Sequence, residues 1–259
     1  MEKIKKFYNI HQYPKSNQYT SNQKRTNKKI IAKILRSANI TEKDLFNKRI
    51  LDIGCGTGEK SIYFAKNGAK EVVSVDFSIG QLNELKKKIK KEKLINIIIK
   101  EKDIIKDNLE DLKKFDLIFC LGVLHHTEDP YLGFKKICSL LKKEGIIVIG
   151  VYHKYSRIRY RIQRILLRTF VSKDPEKIIE FLLTSKLTKK FRKAPLSTLY
   201  DRYAVPYESY HTLREVKNWF LKNNIKIINY RNIRHKIEIF NLFEKKSIFF
   251  VGGKRFIKI

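Results

Sequence analysis

Residues Arg49–Lys60 read RILDIGCGTGEK, and this stretch decides the fold. Ile50, Leu51 and Ile53 form a short apolar run of the kind that becomes a fully buried strand. The run stops at Gly54-Cys55-Gly56-Thr57-Gly58, and helical spacing begins straight after it with Ser61, Ile62, Phe64 and Ala65. A strand, a glycine turn and a helix start make a nucleotide-binding corner. Glycine lets the backbone bend sharply and approach a ligand, and the free N–H groups of a new helix favour acceptor groups. A dinucleotide site wants G-x-G-x-x-G around a pyrophosphate. Here the spacing is G-x-G-x-G, with Asp52 two residues before the first glycine. Val72–Asp76, VVSVD, is a second buried-strand run whose terminal acid lies 22 residues after Gly54. A carboxylate there can accept hydrogen bonds from both hydroxyls of a ribose, although an Asp at a strand end also serves as a plain turn residue.

Two further segments follow at fitting intervals: FDLIFCLGVLHHTEDP at 115–130 and LLKKEGIIVIGVY at 140–152. Together the four segments resemble the class I S-adenosylmethionine-dependent methyltransferases of the type 11 group, closely over about 45–152 and more loosely over the final strands. The resemblance implies an α/β fold, a three-layer α/β/α sandwich around a Rossmann-like, seven-stranded, mostly parallel sheet with a helical cap insertion. Its expected divisions are an N-terminal arm and helix at 1–44, a cofactor-binding core at 45–152, the cap at 153–211 and a C-terminal helix with edge strands at 212–259. S-adenosylmethionine is the implied cofactor. Gly54, Gly56 and Gly58 would approach its methionine portion and Asp76 the ribose hydroxyls, with Asp52, Cys55 and Phe77 also among the cofactor-binding residues. Asp103 would accept from the adenine amine while Ile104 covers the ring, and Leu121 and Gly122 complete the site. The family's usual K-P-G-G turn reads KKEG at 142–145, so that loop departs from the pattern.

His125 and His126 follow the fourth strand, at the carboxyl end of a central strand where doubly wound sheets bind ligands. Imidazole titrates near neutrality, so either residue suits a general base that deprotonates an acceptor; either is equally at home as a structural side chain under the loop. Holding the acceptor in line with the sulfonium methyl already supplies much of the acceleration.

Residues 153–210 exceed the single helix that a minimal fold needs, and they read as the inserted cap. Arg157–Phe170 holds Arg157, Arg159, Arg161, Arg164 and Arg168, five of fourteen arginines, with Ile158, Ile162, Ile165, Leu166 and Phe170 mainly on one helical face. Such a basic amphipathic helix suits an RNA backbone, a membrane surface, or packing of its apolar side on the domain beneath. LYDRYAVPYESYH at 199–211 crowds aromatic and polar groups together, and Tyr152, Tyr203, Tyr207 and His211 are the candidate acceptor-binding residues.

The 259 residues carry 57 Lys+Arg against 26 Asp+Glu, a net charge of +31, part of which reflects a chain rich in Lys, Ile and Asn throughout. This charge favours anionic partners. Cys55, Cys120 and Cys138 make neither a C-x-x-C pair nor a zinc spacing, so no metal site is expected. Sparse cysteines, an N-terminus without an apolar core and the absence of a run of about 18 apolar residues read as a cytoplasmic protein. Residues 1–23 look like a mobile arm, with Tyr13 and Tyr19 as candidates for a lid over the cofactor. The expected function is methyl transfer to a small-molecule acceptor, a polar metabolite or glycan precursor. RNA (including tRNA) and a quinone or lipid are the alternative acceptors, and a non-catalytic S-adenosylmethionine-binding module is the alternative class.

Overall fold

A computed structural model describes residues 2–11, 21–192, 194, 196–231 and 247–253. Seven strands form one sheet: β1 (Arg49–Ile53), β2 (Glu71–Asp76), β3 (Ile97–Glu101), β4 (Phe115–Leu121), β5 (Leu141–Tyr152), β6 (Lys226–Arg231) and β7 (Ser247–Gly253). Their order is β3-β2-β1-β4-β5-β7-β6. The first five run parallel, and β7 runs antiparallel between β5 and β6. The helices are α1 (Glu2–Ile10), α2 (Ser21–Ser37), α3 (Glu59–Lys66), α4 (Ile79–Glu92), α5 (Pro130–Ser139), α6 (Ile158–Phe170), α7 (Pro175–Thr184), the single turn α8 (Leu196–Leu199) and α9 (Leu213–Lys222).

The apolar runs of β1, β2 and β4 become strands buried on both faces, because successive side chains point to opposite sides of a sheet. Ile50 and Val72 pack with Ile31, Leu35 and Phe64 beneath α2 and α3. Their neighbours Leu51 and Val73 pack with Phe134, Trp219 and Phe220 beneath α5 and α9. A third cluster lies in the cap, where Tyr160, Ile178, Leu182, Tyr200 and Tyr203 bury Phe7 of α1.

Several elements differ from the sequence expectation. Residues 2–10 are helical rather than a free arm: Ile4 and Phe7 are buried, and the ring of His11, just past the helix, stacks on Tyr200 at 3.9 Å. Tyr13 and Tyr19 lie outside the described residues. Helix α5 starts at Pro130, because the Asp129 carboxylate accepts the Leu132 N–H at 2.9 Å and Pro130 occupies the first turn. Residues 142–145 are not a free turn but part of β5. The ladder shifts there, from Phe115↔Leu141 to Leu117↔Ile146, and a Cβ on Gly145 would stand 2.7 Å from Leu141 Cδ1.

The glycine turn between β1 and α3 is left-handed at Gly54, Gly56 and Gly58, with φ of 62°, 56° and 83°. Gly58 opens α3, and a Cβ there would meet Leu85 Cδ1 of α4 at 2.1 Å. Gly58→Ala therefore combines backbone strain with an overlap in a packed contact. We expect it to lower unfolding stability by about 2–4 kcal/mol in urea titrations; an unchanged midpoint would contradict the packing described here.

Candidate active site

A cleft of about 450 Å³ opens at the carboxyl ends of β1, β2, β4 and β5. The strand order reverses between β1 and β4, and a crevice forms at that point in doubly wound sheets. Gly54, Cys55, Gly56, Asp76, Phe77, Asp103, Ile104, Leu121 and Gly122 line it, as do His126 and Tyr152. A side chain at Gly54 would strike Val123 Cγ2 at 2.1 Å, so only glycine leaves this wall in place.

Asp76 ends β2 and is 8% exposed. Its Oδ2 accepts the Gly56 N–H at 2.9 Å and its Oδ1 the Ser78 N–H at 3.0 Å. Burial pushes its pKa up to about 6, against the opposing pull of the two N–H groups. Asp103 also caps a turn, since Oδ1 accepts the Ile105 N–H at 2.9 Å. A cradle of left-handed glycines with one carboxylate at the tip of β2 and another after β3 fits an adenosyl nucleoside.

Two motif residues lie elsewhere. Asp52 is fully buried below the turn, holding Ser61 Oγ at 2.8 Å and Lys60 Nζ at 3.3 Å, and does not line the cleft. Gly58 packs on α4. The spacing marks both as parts of the turn, and their side-chain surroundings make them supports for it.

The two histidines have different surroundings. His126 Nδ1 lies 3.0 Å from the Tyr207 carbonyl oxygen. A carbonyl only accepts, so Nδ1 carries the proton in the neutral ring and Nε2 keeps its lone pair. Nε2 lies 3.9 Å from Asp201 Oδ1, and Asp201 also receives the hydroxyls of Tyr8 and Tyr152, each at 3.2 Å. His125 is completely buried and does not line the cleft. Burial first, and the neighbouring His126 and Arg157 next, hold its pKa well below the usual value, so the ring is neutral. It stacks on Tyr152 with ring centroids 3.6 Å apart, and its carbonyl accepts the Ser209 N–H at 2.7 Å. These contacts give His125 the structural place under the loop and leave His126 as the histidine that faces the cleft.

Three of the four expected acceptor-binding residues are also placed elsewhere. Tyr203 is buried inside the cap, its hydroxyl donating to Gln163. Tyr207 meets His126 through its backbone, not its ring. His211 ties the end of the cap to β5: its N–H donates to the Tyr152 carbonyl, and its ring sits between Ser209 Oγ at 2.8 Å and Glu215 Oε1 at 2.7 Å. In their stead the cleft gains Tyr8, Lys60, Asp201, Arg157 and Arg202. Asp201 and Arg202 stand within the cap stretch 199–211, but irregular backbone carries no period that says which of its side chains turn inward.

The arginine helix is inverted relative to the packing expected of an amphipathic helix. Its arginine side faces the protein. Arg164 pairs with Glu208 at 3.2 Å and donates to the Val205 carbonyl at 2.8 Å, and Arg168 donates to the same carbonyl at 2.7 Å. Arg157 lies over Tyr152 and Arg161 over Tyr210, at 3.6 and 4.8 Å from the ring centres. The loop after α8 brings carbonyls and a buried carboxylate to this interface, and unpaired they would cost more than apolar packing gains. Among the described residues no cluster of His, Cys, Asp and Glu is arranged to hold a metal ion.

Known proteins agree with this architecture. Residues 46–193 match a family model described as a methyltransferase domain. The chain belongs to this methyltransferase domain family. It is 33% identical over 129 residues to the ubiquinone biosynthesis O-methyltransferase of Glaesserella parasuis, covering 48% of this chain and 54% of that protein. It is 36% identical over 115 residues to the protein of the same name from Pelagibacter ubique, covering 44% and 46%. The chain thus spans about half the length, or less, of these curated relatives. Among solved structures, PKMT2 from Rickettsia typhi aligns with a TM-score of 0.63 at 16% identity, over 86% of this chain and 51% of that one. Magnesium protoporphyrin IX methyltransferase from Synechocystis, solved with bound SAH, aligns at 0.58 and 15% identity, over 98% and 93%.

The raised pKa of Asp76 has a consequence for stability in the absence of ligand. A carboxyl that titrates higher when folded than when unfolded adds stability that is full below about pH 4 and lost as pH rises through about 6. Relative to Asp76→Asn, the wild type should gain about 2–3 kcal/mol between pH 7.5 and pH 4 in denaturant titrations. A constant difference across that range would contradict the buried carboxylate.

Proposed function

We propose that the protein transfers a methyl group from S-adenosylmethionine to a hydroxyl of a small-molecule acceptor, with His126 as general base. The observation that carries this reading is the His126 ring in the cleft, its Nδ1 held by a carbonyl and its Nε2 lone pair 3.9 Å from the Asp201 carboxylate. Gly54, Cys55 and Gly56 would hold the methionine portion of the cofactor, Asp76 the ribose hydroxyls, and Asp103 the adenine amine with Ile104 and Phe77 beside the ring. When bound, the cofactor supplies a methyl group on a positively charged sulfur, which needs only a nucleophile placed in line. His126 takes the acceptor proton at Nε2, and Asp201 stabilises the imidazolium that results. Tyr8 and Tyr152 hold Asp201 in position through their hydroxyls.

The acceptor is read as a polar molecule bearing an anionic group. Arg157 and Arg202 line the cleft, and among the described residues neither forms an ion pair; both lie over the ring of Tyr160 instead. A carboxylate or phosphate would satisfy them by charge-assisted hydrogen bonds. The name printed for the two relatives favours oxygen as the methylated atom. RNA loses its main support, because Arg157, Arg164 and Arg168 are engaged inward. The three free, buried cysteines favour the cytoplasm as the place of reaction, and no described helix is long and apolar enough to cross a membrane.

The test is transfer from methyl-labelled S-adenosylmethionine into the low-molecular-weight fraction of a cell extract. His126→Ala should lower turnover by about 10²–10⁴-fold while cofactor affinity stays within a few-fold. Full activity in that variant would leave positioning alone as the catalytic device and remove His126 from the chemistry.

A further inference from the structure

With Arg161, Arg164 and Arg168 turned inward, α6 presents the opposite face to solvent. Ile158, Ile162, Ile165, Leu166 and Phe170 are 37, 52, 61, 49 and 79% exposed. Their spacing aligns them in one stripe along the helix. Singly exposed apolar side chains are ordinary, but an aligned stripe of five marks an interaction surface. We propose that α6 docks the protein on an anionic membrane, laying this stripe into the boundary between headgroups and acyl chains.

The choice of a membrane rests on the helix's length and charge. At 13 residues α6 is about 20 Å long, too short to span a hydrocarbon core of about 30 Å, so it lies in the plane of the surface. The segment 157–173 contains no acid, and its two exposed cations, Arg159 and Lys173, stand beside the stripe and beyond its end. An apolar face with a cationic border is the pattern of helices that bind anionic lipid surfaces. A second copy of the chain is disfavoured on this face, because it would bring two molecules of charge +31 together. RNA is disfavoured because the outward face is apolar, whereas phosphate contacts need outward cations. Arg157, one residue before α6, lines the cleft, so docking would hold the acceptor site within a helix length of the lipid.

The experiment is sedimentation of the intact protein with vesicles of phosphatidylcholine alone or with about 30% phosphatidylglycerol, in low and high salt. The double variant Ile162→Glu/Ile165→Glu changes only exposed positions, and S-adenosylmethionine binding and circular dichroism report whether its fold is kept. Expected is wild-type binding to the anionic vesicles that partly survives high salt, and binding at least about tenfold weaker in the variant. Three results would overturn the proposal. One is no binding by the wild type, and another is equal binding by the variant, which leaves only general charge attraction. The third is a wild-type dimer that the variant converts to monomer, which gives the stripe to a second copy.

Discussion

The candidate site depends on a single constraint: the Asp76 carboxylate, lifted almost out of water, is held by the backbone N–H groups of Gly56 and Ser78. The parallel register Ile53↔Val75 brings the tips of β1 and β2 side by side, so the first hydrogen bond closes the gap between the glycine turn and the second strand. It requires left-handed backbone at Gly54 and Gly56, which any other side chain would resist. The same bonds set the starting points of α3 and α4. Burial opposes the charge and the two N–H groups favour it, which leaves a carboxylate that titrates near the edge of the physiological range.

The cap extends this order to the chemistry by a second chain of contacts. Arg164 and Arg168 fix the Val205 and Pro206 carbonyls, and Arg164 fixes Glu208. Tyr207 lies between these anchors, and its carbonyl orients His126. A helix that looks in the sequence like a nucleic-acid contact thus serves, through a loop, to set the proton of an imidazole. The apolar stripe is its counterpart: a helix with both an apolar and a cationic face can bury only one of them, and here the buried face is the one that satisfies backbone carbonyls.

The core was legible in the sequence because two simple periods govern it. Buried strands such as Val72–Val75 and helices such as Leu213–Lys222 declare themselves by spacing, and the glycine turn has few uses. The cleft side of that turn was legible too, since Gly54, Gly56, Asp76 and Asp103 all face one crevice. Asp52 and Gly58 stand behind the cleft wall, a distinction that spacing does not carry, since it identifies the turn without separating residues that line the crevice from those that brace it. The cap was less legible. Residues 200–204 form a π-helical turn and 205–212 run irregularly, so nothing in the pattern distinguishes buried Tyr203 from cleft-lining Asp201. The inversion of α6 was hidden for another reason: its cause lies about forty residues away, in the carbonyls of the loop it must satisfy.

The measurement closest to the central claim is calorimetric titration of S-adenosylmethionine into the unmodified chain and into Asp76→Ala near pH 8, where the carboxylate is ionised. The expected result is one site per chain, with affinity about tenfold or more weaker once the carboxylate is removed. Absence of binding, or equal affinity in the two proteins, would contradict it.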